Sequence, residues 1–334
     1  RPFLRALRGA AKSTARCHAP RVVCRWARVT RVFGHRGHRF PGVAAGNESI
    51  TMIEFRQVSK VFDDGTRAVE DFTLTLPSHQ TTVFVGSSGS GKTSLLRMIN
   101  RMVEPTSGQI LIDGEDIAGL NPVQLRRRIG YVLQAAGLLP HRTVVDNIAT
   151  VPLLMGTSKR EARRAALELL GTVGLDASLA KRYPRQLSGG QQQRVGVARA
   201  LASDPNVLLM DEPFGAVDPI VRAELQVELN RLQRELGKTI VFVTHDIDEA
   251  FTLADQVVIL KQGGIVAQVG TPAQILADPA DDFVASFIGA DAGKRQLYLQ
   301  HRQGDGGLTL VVDRDGRPAG VLADAPVPSA VDSP

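Results

Sequence analysis

The stretch "TTVFVGSSGSGKTSLL", Thr81–Leu96, decides how the rest of the chain is read. It opens with an apolar run of strand length and closes with apolar positions at helical spacing. Between them lies "GSSGSGKT", Gly86–Thr93, a complete G-x-x-x-x-G-K-[ST] loop. That motif requires a strand before it and a helix after it, and both patterns are present. Backbone N–H groups of the loop and of the helix N-terminus would converge on phosphate oxygens. Lys92 adds a point charge at the terminal phosphates, and Thr93 offers its hydroxyl to Mg²⁺.

Working outward, "MIEFRQVSKVF" and "AVEDFTLTLP" alternate like strands around the polar turn "DDGT". After the loop, "KTSLLRMINRMV" places Leu95, Leu96, Ile99, Met102 and Val103 at helical spacing, and "EPTSG" stops that helix. "QILIDGEDI" reads as a strand pair turning at Asp113-Gly114. From about Val144 to Arg182 strand signals thin out, and "KREARRAALELLGTVGL" is a charged amphipathic helix. This region reads as a helical insert, assigned to residues 140–190. Beyond it, "NVLLMD", "TIVFVT", "QVVILK" and "GIVAQVG" alternate with helices such as "IVRAELQVELNRLQREL". Strands alternating with helices imply an α/β fold with a mainly parallel sheet covered on both faces.

Several strand ends carry polar groups suited to phosphate chemistry. "VLLMDEP", Val207–Pro213, runs an apolar strand into Asp211 and Glu212. Asp211 would then sit at the carboxyl edge of the sheet, where Mg²⁺ is expected, and Glu212 could activate a water. Gln134 ends "IGYVLQ" and His245 ends "TIVFVTH"; each is either structural or within reach of the metal–water shell. Phe62, in a loop near the start of the domain, either packs in the core or stacks on a base.

A second glycine-rich turn, "LSGGQQQRVGVARAL" (Leu187–Leu201), opens another helix without any lysine. Ser188, Gly189 and Gly190 supply a hydroxyl and bare N–H groups at a helix N-terminus, an anion site with a favourable dipole and no cation. Such a half-site is expected to be completed by another molecule.

The charge of the chain is unevenly placed. Net charge is +6 for 334 residues, but residues 1–51 hold eleven Lys or Arg and one acid, Glu48. Removing those from 40 bases and 34 acids leaves 29 and 33, a net −4 for the body. The body therefore gives no electrostatic sign of a nucleic-acid partner. Both cysteines, Cys17 and Cys24, and the one tryptophan, Trp26, also lie in this extension, so the body carries no disulfide framework. Residues 1–51 are open to three readings: sequence upstream of the true start at Met52, an Arg-rich targeting segment, or a basic arm that touches phosphate. No apolar run approaches the roughly 18–20 residues of a membrane-spanning helix. The tail, residues 290–334, contains "LTLVVDRDGRPAGVL", which reads as a hairpin turning at Asp315-Gly316. Its last residues, "ADAPVPSAVDSP", read as disordered.

From Met52 to Gly289 the chain resembles the ATP-binding cassette family. The resemblance rests on Phe62 in the adenine-stacking position, Gly86–Thr93 as phosphate loop, and Gln134 as glutamine loop. It continues through Leu187–Gln191 as the family signature, Asp211–Glu212, Asp218 in the D-loop and His245 as switch histidine. It implies a P-loop NTPase of the cassette type: a RecA-like, mainly parallel core, an antiparallel β-subdomain, and a helical insert bearing the signature.

By the same resemblance, ATP would be held by Phe62, Gly86, Ser87, Ser88, Gly89, Ser90, Gly91, Lys92, Thr93 and Ser94. Mg²⁺ would be held by Thr93, Gln134 and Asp211, and catalysis would fall to Glu212, His245, Gln134 and Lys92. Leu187, Ser188, Gly189, Gly190 and Gln191 would close on the ATP of a second copy. "IGYVLQAAGLLPHRTVVDNIATVP" and "YPRQLSGGQQQRVGVARALASDP" look more narrowly like quaternary-amine osmoprotectant importers (glycine betaine, choline, carnitine, proline). That implies an ATPase at the cytoplasmic face of the membrane, a homodimer, two membrane permease subunits and an extracytoplasmic binding protein, with no nucleic acid. The tail would be a remnant of the CBS (nucleotide-sensing) modules that often follow such cassettes. In the D-loop "GAVD", Val217 stands where Leu is common. The rival readings are an importer ATPase for a polar amino acid, methionine or an anion, and a non-transport cassette acting on nucleic acid or ribosomes.

Overall fold

The first two strands, β1 (Ile53–Val61) and β2 (Arg67–Leu76), pair antiparallel, and the Phe62 and Gly65 N–H groups close the turn between them. Then come β3 (Thr81–Gly86), buried along its whole length, and α1 (Lys92–Ile99). The computed structural model describes residues 52–134, 136–215 and 217–289, with the backbone of three short strands beyond them.

Helix α1 stops earlier than the apolar spacing through Val103 predicts. Arg101 adopts φ 55°, its N–H reaches Met98 O at 3.1 Å, and Met102 N–H reaches Arg97 O at 2.9 Å. This pair of bonds is a Schellman closure, with arginine in the left-handed position that glycine usually fills. Met102 is consequently 55% exposed instead of packed.

β4 (Ser107–Ile112) and β5 (Glu115–Asp116) form the expected pair, with Asp113 and Gly114 both at positive φ as a tight two-residue turn requires. These four strands make one antiparallel sheet in the order β2-β1-β4-β5. Next are α2 (Pro122–Arg128), capped by Asn121, and β6 (Ile129–Val132). Four helices follow: α3 (Val144–Ile148), α4 (Thr150–Leu154), α5 (Lys159–Thr172) and α6 (Gly189–Leu201). Ser158 caps α5, which buries Ala162, Ala165, Ala166, Leu169 and Leu170 along one stripe. Arg163 of α5 donates twice to Asp146 of α3, at 2.7 and 2.9 Å, and so ties the two helices together.

The chain then alternates: β7 (Val207–Asp211), α7 (Pro219–Leu236), β8 (Thr239–Thr244), α8 (Ile247–Leu253), β9 (Gln256–Leu260) and β10 (Val266–Gly270). Two short helices, α9 (Pro272–Ala277) and α10 (Asp282–Gly289), follow. The second sheet has the order β10-β9-β3-β8-β7-β6; β10 is antiparallel and its other pairings are parallel. Strands β3, β7 and β8 are buried throughout, as parallel strands covered on both faces must be.

Three phenylalanines join the sheets. Phe55 of β1, Phe72 of β2 and Phe84 of β3 meet edge-on, with ring centroids 5.1, 6.1 and 6.5 Å apart. Each such pair contributes about 0.5–1.5 kcal/mol beyond the area it buries. This cluster fixes β3, and hence the glycine loop at its end, against the antiparallel sheet.

In the tail, β11 (Tyr298–His301), β12 (Thr309–Val312) and β13 (Pro318–Leu322) form an antiparallel sheet. The β12–β13 pair is the expected hairpin, whereas β11 was not foreseen. The Asp315-Gly316 turn, the extension 1–51 and the segment 323–334 lie outside the described residues. No helix among the described residues is long and apolar enough to cross a membrane.

Candidate nucleotide-binding site

The site is built where β3, β8 and β7, neighbours in the parallel sheet, reach their carboxyl ends. Crevices at that edge of an open parallel sheet are where ligands bind. The glycine loop leaves β3 at Gly86, where a Cβ would stand 2.4 Å from Leu260 O, so no side chain fits between the strands. At Gly91 a Cβ would meet Ala68 O at 2.3 Å, and the residue has φ 84°. Gly89, by contrast, has φ 79° and open space where a Cβ would be. Ser87, Ser88 and Gly89 are exposed, so the crown of the loop is an open cradle.

Lys92 is buried, 5% exposed, and donates to Gly86 O at 2.8 Å, Ser87 O at 2.7 Å and Ser90 Oγ at 3.2 Å. Burial pushes its ammonium below the usual lysine range, and the Glu212 and Asp211 carboxylates oppose that shift. Thr93 Oγ1 donates to Asp211 Oδ1 at 3.0 Å. A hydroxyl and a carboxylate oxygen already side by side are hard-oxygen donors of the kind that suits Mg²⁺.

Asp211 carries two further contacts that the motifs do not announce. Arg97 Nη2 and the Tyr131 hydroxyl each approach its Oδ2 at 3.2 Å. Burial, with the Asp211 carboxylate beside it, pushes the Tyr131 hydroxyl up to about 12, so it stays protonated and donates.

Glu212, half-buried, follows directly with φ 44°, and its N–H is held by Val243 O of β8 at 3.0 Å. A left-handed backbone at a non-glycine residue is strained, and here it turns the carboxylate out of the strand. Glu212 Oε2 lies 3.2 Å from His245 Nδ1. A Cβ on Gly215 would lie 3.3 Å from Gln134 Nε2 and 3.8 Å from Glu212 Oε2. The structure thus brings Gln134, Glu212 and His245 to one place, next to Lys92, Thr93 and Asp211. Phe62 stands at the end of β1, 38% exposed, with Lys60 Nζ 5.1 Å from its ring centroid. One of its faces is covered by that ammonium.

The second glycine turn has its own logic. Ser188 caps α6, its Oγ accepting from Gln191 N–H while Gln191 Oε1 accepts from Ser188 N–H. That is a capping box, and "SGGQ" carries its S-x-x-Q spacing in plain view. Gln191 is therefore committed to the helix end, and among the described residues the Ser188 hydroxyl accepts from Gln191 N–H and donates to none. Leu187 and Gly190 are buried, and a Cβ on Gly190 would strike Val221 Cγ1 at 2.3 Å. Val221 N–H is in turn held by Asp218 Oδ1, the N-cap of α7, at 3.1 Å. Among the described residues no hydrogen bond joins Leu187–Gln191 to Gly86–Thr93.

The ABC transporter family model matches residues 69–215. The glycine betaine uptake system ATP-binding protein YehX of Escherichia coli is 52% identical over 250 residues, which span 75% of this chain and 80% of that protein. The chain belongs to the ABC transporter family. Another relative is the glycine betaine/carnitine/choline transport ATP-binding protein OpuCA of Bacillus subtilis. It is 54% identical over 240 residues, 72% of this chain and 63% of that protein. The chain thus spans less than two thirds of the length of such OpuCA relatives. The fold agrees with the ATP-binding cassette MJ0796 in a dimeric post-hydrolysis state bound to ADP and Pi. The TM-score is 0.60 at 33% identity, over 66% of this chain and 98% of that one. The ABC assignment accounts for the paired antiparallel and parallel sheets, and with them the α/β class read from the sequence.

Proposed function

We propose that this chain is the ATP-hydrolysing subunit of an importer for quaternary-amine osmoprotectants of the glycine betaine, choline, carnitine or proline type. The observation that carries the reading is the convergence of Lys92, Thr93–Asp211 and Glu212–His245 at three adjacent strand ends. The names of the relatives point to the solute class.

In this reading the loop N–H groups and Lys92 bind the phosphates of ATP, and Phe62 offers its open face to the adenine. Thr93, Gln134 and Asp211 would hold Mg²⁺, which supplies positive charge against the phosphate oxygens. Glu212 accepts a proton from the attacking water as its oxygen bonds to the γ-phosphorus. The bond to the β–γ bridging oxygen breaks, releasing ADP and phosphate. His245 holds the Glu212 carboxylate in line and presents its exposed ring to the γ-phosphate. Two copies face head to tail, with Ser188 and Gly189 of each completing the other's site. Asp218, the cap of α7, keeps the D-loop beside that turn. Two membrane permease subunits anchor the pair at the cytoplasmic face of the membrane, and an extracytoplasmic binding protein delivers the solute. By its sequence resemblance, the region after Gln134 receives the permease.

The test is uptake of radiolabelled glycine betaine, choline and carnitine by cells lacking this chain and complemented with it. Wild type should restore uptake of at least one, and Glu212→Gln should restore none. Uptake sustained by Glu212→Gln, or absent for all three with wild type, overturns the proposal.

A further inference from the structure

The two oxygens of Asp211 are not equivalent. Oδ1 accepts from Thr93 Oγ1 at 3.0 Å, on the side of the glycine loop. Oδ2 is capped by Arg97 Nη2 and by the Tyr131 hydroxyl, each at 3.2 Å. The caps come from separate elements, α1 and β6, and meet on the end of β7. Asp211 is 6% exposed, so little water is available to replace either donor. Neither Arg97 nor Tyr131 belongs to a motif that the nucleotide-binding reading uses.

We propose that Arg97 and Tyr131 are positioning residues that occupy Oδ2, leave Asp211 a one-oxygen ligand, and thereby select Mg²⁺ over Ca²⁺. Mg²⁺ demands near-ideal octahedral geometry at about 2.0–2.1 Å, whereas Ca²⁺ takes about 6–8 oxygens at longer distance and accepts both oxygens of one carboxylate. A carboxylate whose second oxygen already holds two donors is not free to turn and present both. Removing either donor vacates one of the two occupied positions on Oδ2, which lets that oxygen reach the larger ion. Loss of the Arg97 charge raises the attraction for both cations alike, so the ratio of the two affinities isolates the geometric effect. The inference rests on the ATP-binding reading given above, and it goes beyond that reading by assigning residues to the choice of metal.

The test titrates the full chain with a fluorescent, non-hydrolysable ATP analogue in Mg²⁺, in Ca²⁺ and in EDTA. Wild type should bind more tightly with Mg²⁺ than with Ca²⁺. Tyr131→Phe and Arg97→Met should each lower the Mg²⁺/Ca²⁺ affinity ratio by about threefold or more, with the affinity in EDTA unchanged. Arg97→Lys keeps the charge without the planar fork and should lower the ratio less. Tyr131→Phe removes a single oxygen from a half-buried ring, and an unchanged EDTA affinity shows that the loop is intact. A ratio unaltered in the variants overturns the clamp and leaves the ATP-binding reading standing. An EDTA affinity that falls in step with the ratio also overturns it, because the two residues then serve the fold. A wild type that binds the analogue equally in all three conditions overturns the clamp alone, and a wild type that binds it in none overturns the ATP-binding reading as well.

Discussion

His245 Nδ1 stands 3.2 Å from Glu212 Oε2, a contact between the ends of two strands that are neighbours in the parallel sheet. The pair is assembled by the fold itself, because the Glu212 N–H is bonded to Val243 two residues before the histidine. Glu212→Gln should keep ATP affinity within about twofold and lower turnover by about 10²–10⁴-fold, the range of a lost general base. His245→Ala should lower kcat by a smaller factor, since the Glu212 carboxylate remains and what is lost is its orientation and the contact of the ring with the γ-phosphate. Steady-state phosphate release with a separate binding titration distinguishes the two. Normal hydrolysis by Glu212→Gln would remove that residue from its role.

Lys92 offers a pH test. Its ammonium is held below the usual lysine range, first by burial. A lowered value means that the charge is lost at lower pH than an exposed lysine would lose it. ATP affinity should therefore weaken with rising pH before about 10.4, the reference for a free lysine. Lys92→Ala should cost about 1.5–3 kcal/mol of binding at neutral pH, and its affinity should no longer follow that alkaline limb. Binding isotherms from pH 7 upward show whether the limb belongs to Lys92.

The signature turn separates two kinds of substitution. Gly189 has open space around its Cβ position, but Gly190 faces Val221 at 2.3 Å. Gly190→Asp should therefore destabilise the single chain through α6–α7 packing, visible as a lowered Tm, and so is a poor probe of pairing between copies. Ser188→Arg, at an exposed position, should leave ATP binding by the single chain intact and suppress hydrolysis. It also removes the helix cap, at a cost of about 1 kcal/mol. Full hydrolysis by Ser188→Arg would argue against a site shared between copies.

Acid should loosen the helical region at Asp146. Hydrogen bonds from Arg163 hold its carboxyl below the ordinary carboxylate value of 3.8. A depressed value contributes stability that is present above 3.8 and lost as pH falls through the lower folded value. Arg163 is 44% exposed, so water screens the pair and Asp146→Asn should cost about 0.5–1 kcal/mol at pH 7. Denaturant melts should show the wild-type advantage shrinking below pH 4; a constant advantage at pH 2 would contradict this.

The parts of the site that could be read from the sequence are those in which an apolar run ends on a polar residue. Gly86–Thr93, Asp211, Glu212 and His245 each sit at such an end; periodicity marks the strands they follow, and the resemblance supplies the roles. The capping box of Ser188 and Gln191 was equally open to reading, since it depends on spacing within four residues. What could not be read depends on contacts between distant segments. Arg97 and Tyr131 lie far from Asp211 in sequence, and Val221 gives no local sign that it abuts Gly190. Backbone conformation was also hidden: nothing about Arg101 announces the left-handed turn that ends α1 two residues before Val103. The third strand of the tail, Tyr298–His301, was missed because a four-residue strand carries little alternation.

The left-handed backbone of Glu212 sets stability against turnover at one position. A φ of 44° costs a glutamate about 1 kcal/mol or more, while asparagine tolerates that conformation. Replacement by asparagine should yield a protein that melts later and hydrolyses nothing. A screen that rewarded thermal robustness alone would discard the general base, so only selection for activity keeps an acid there.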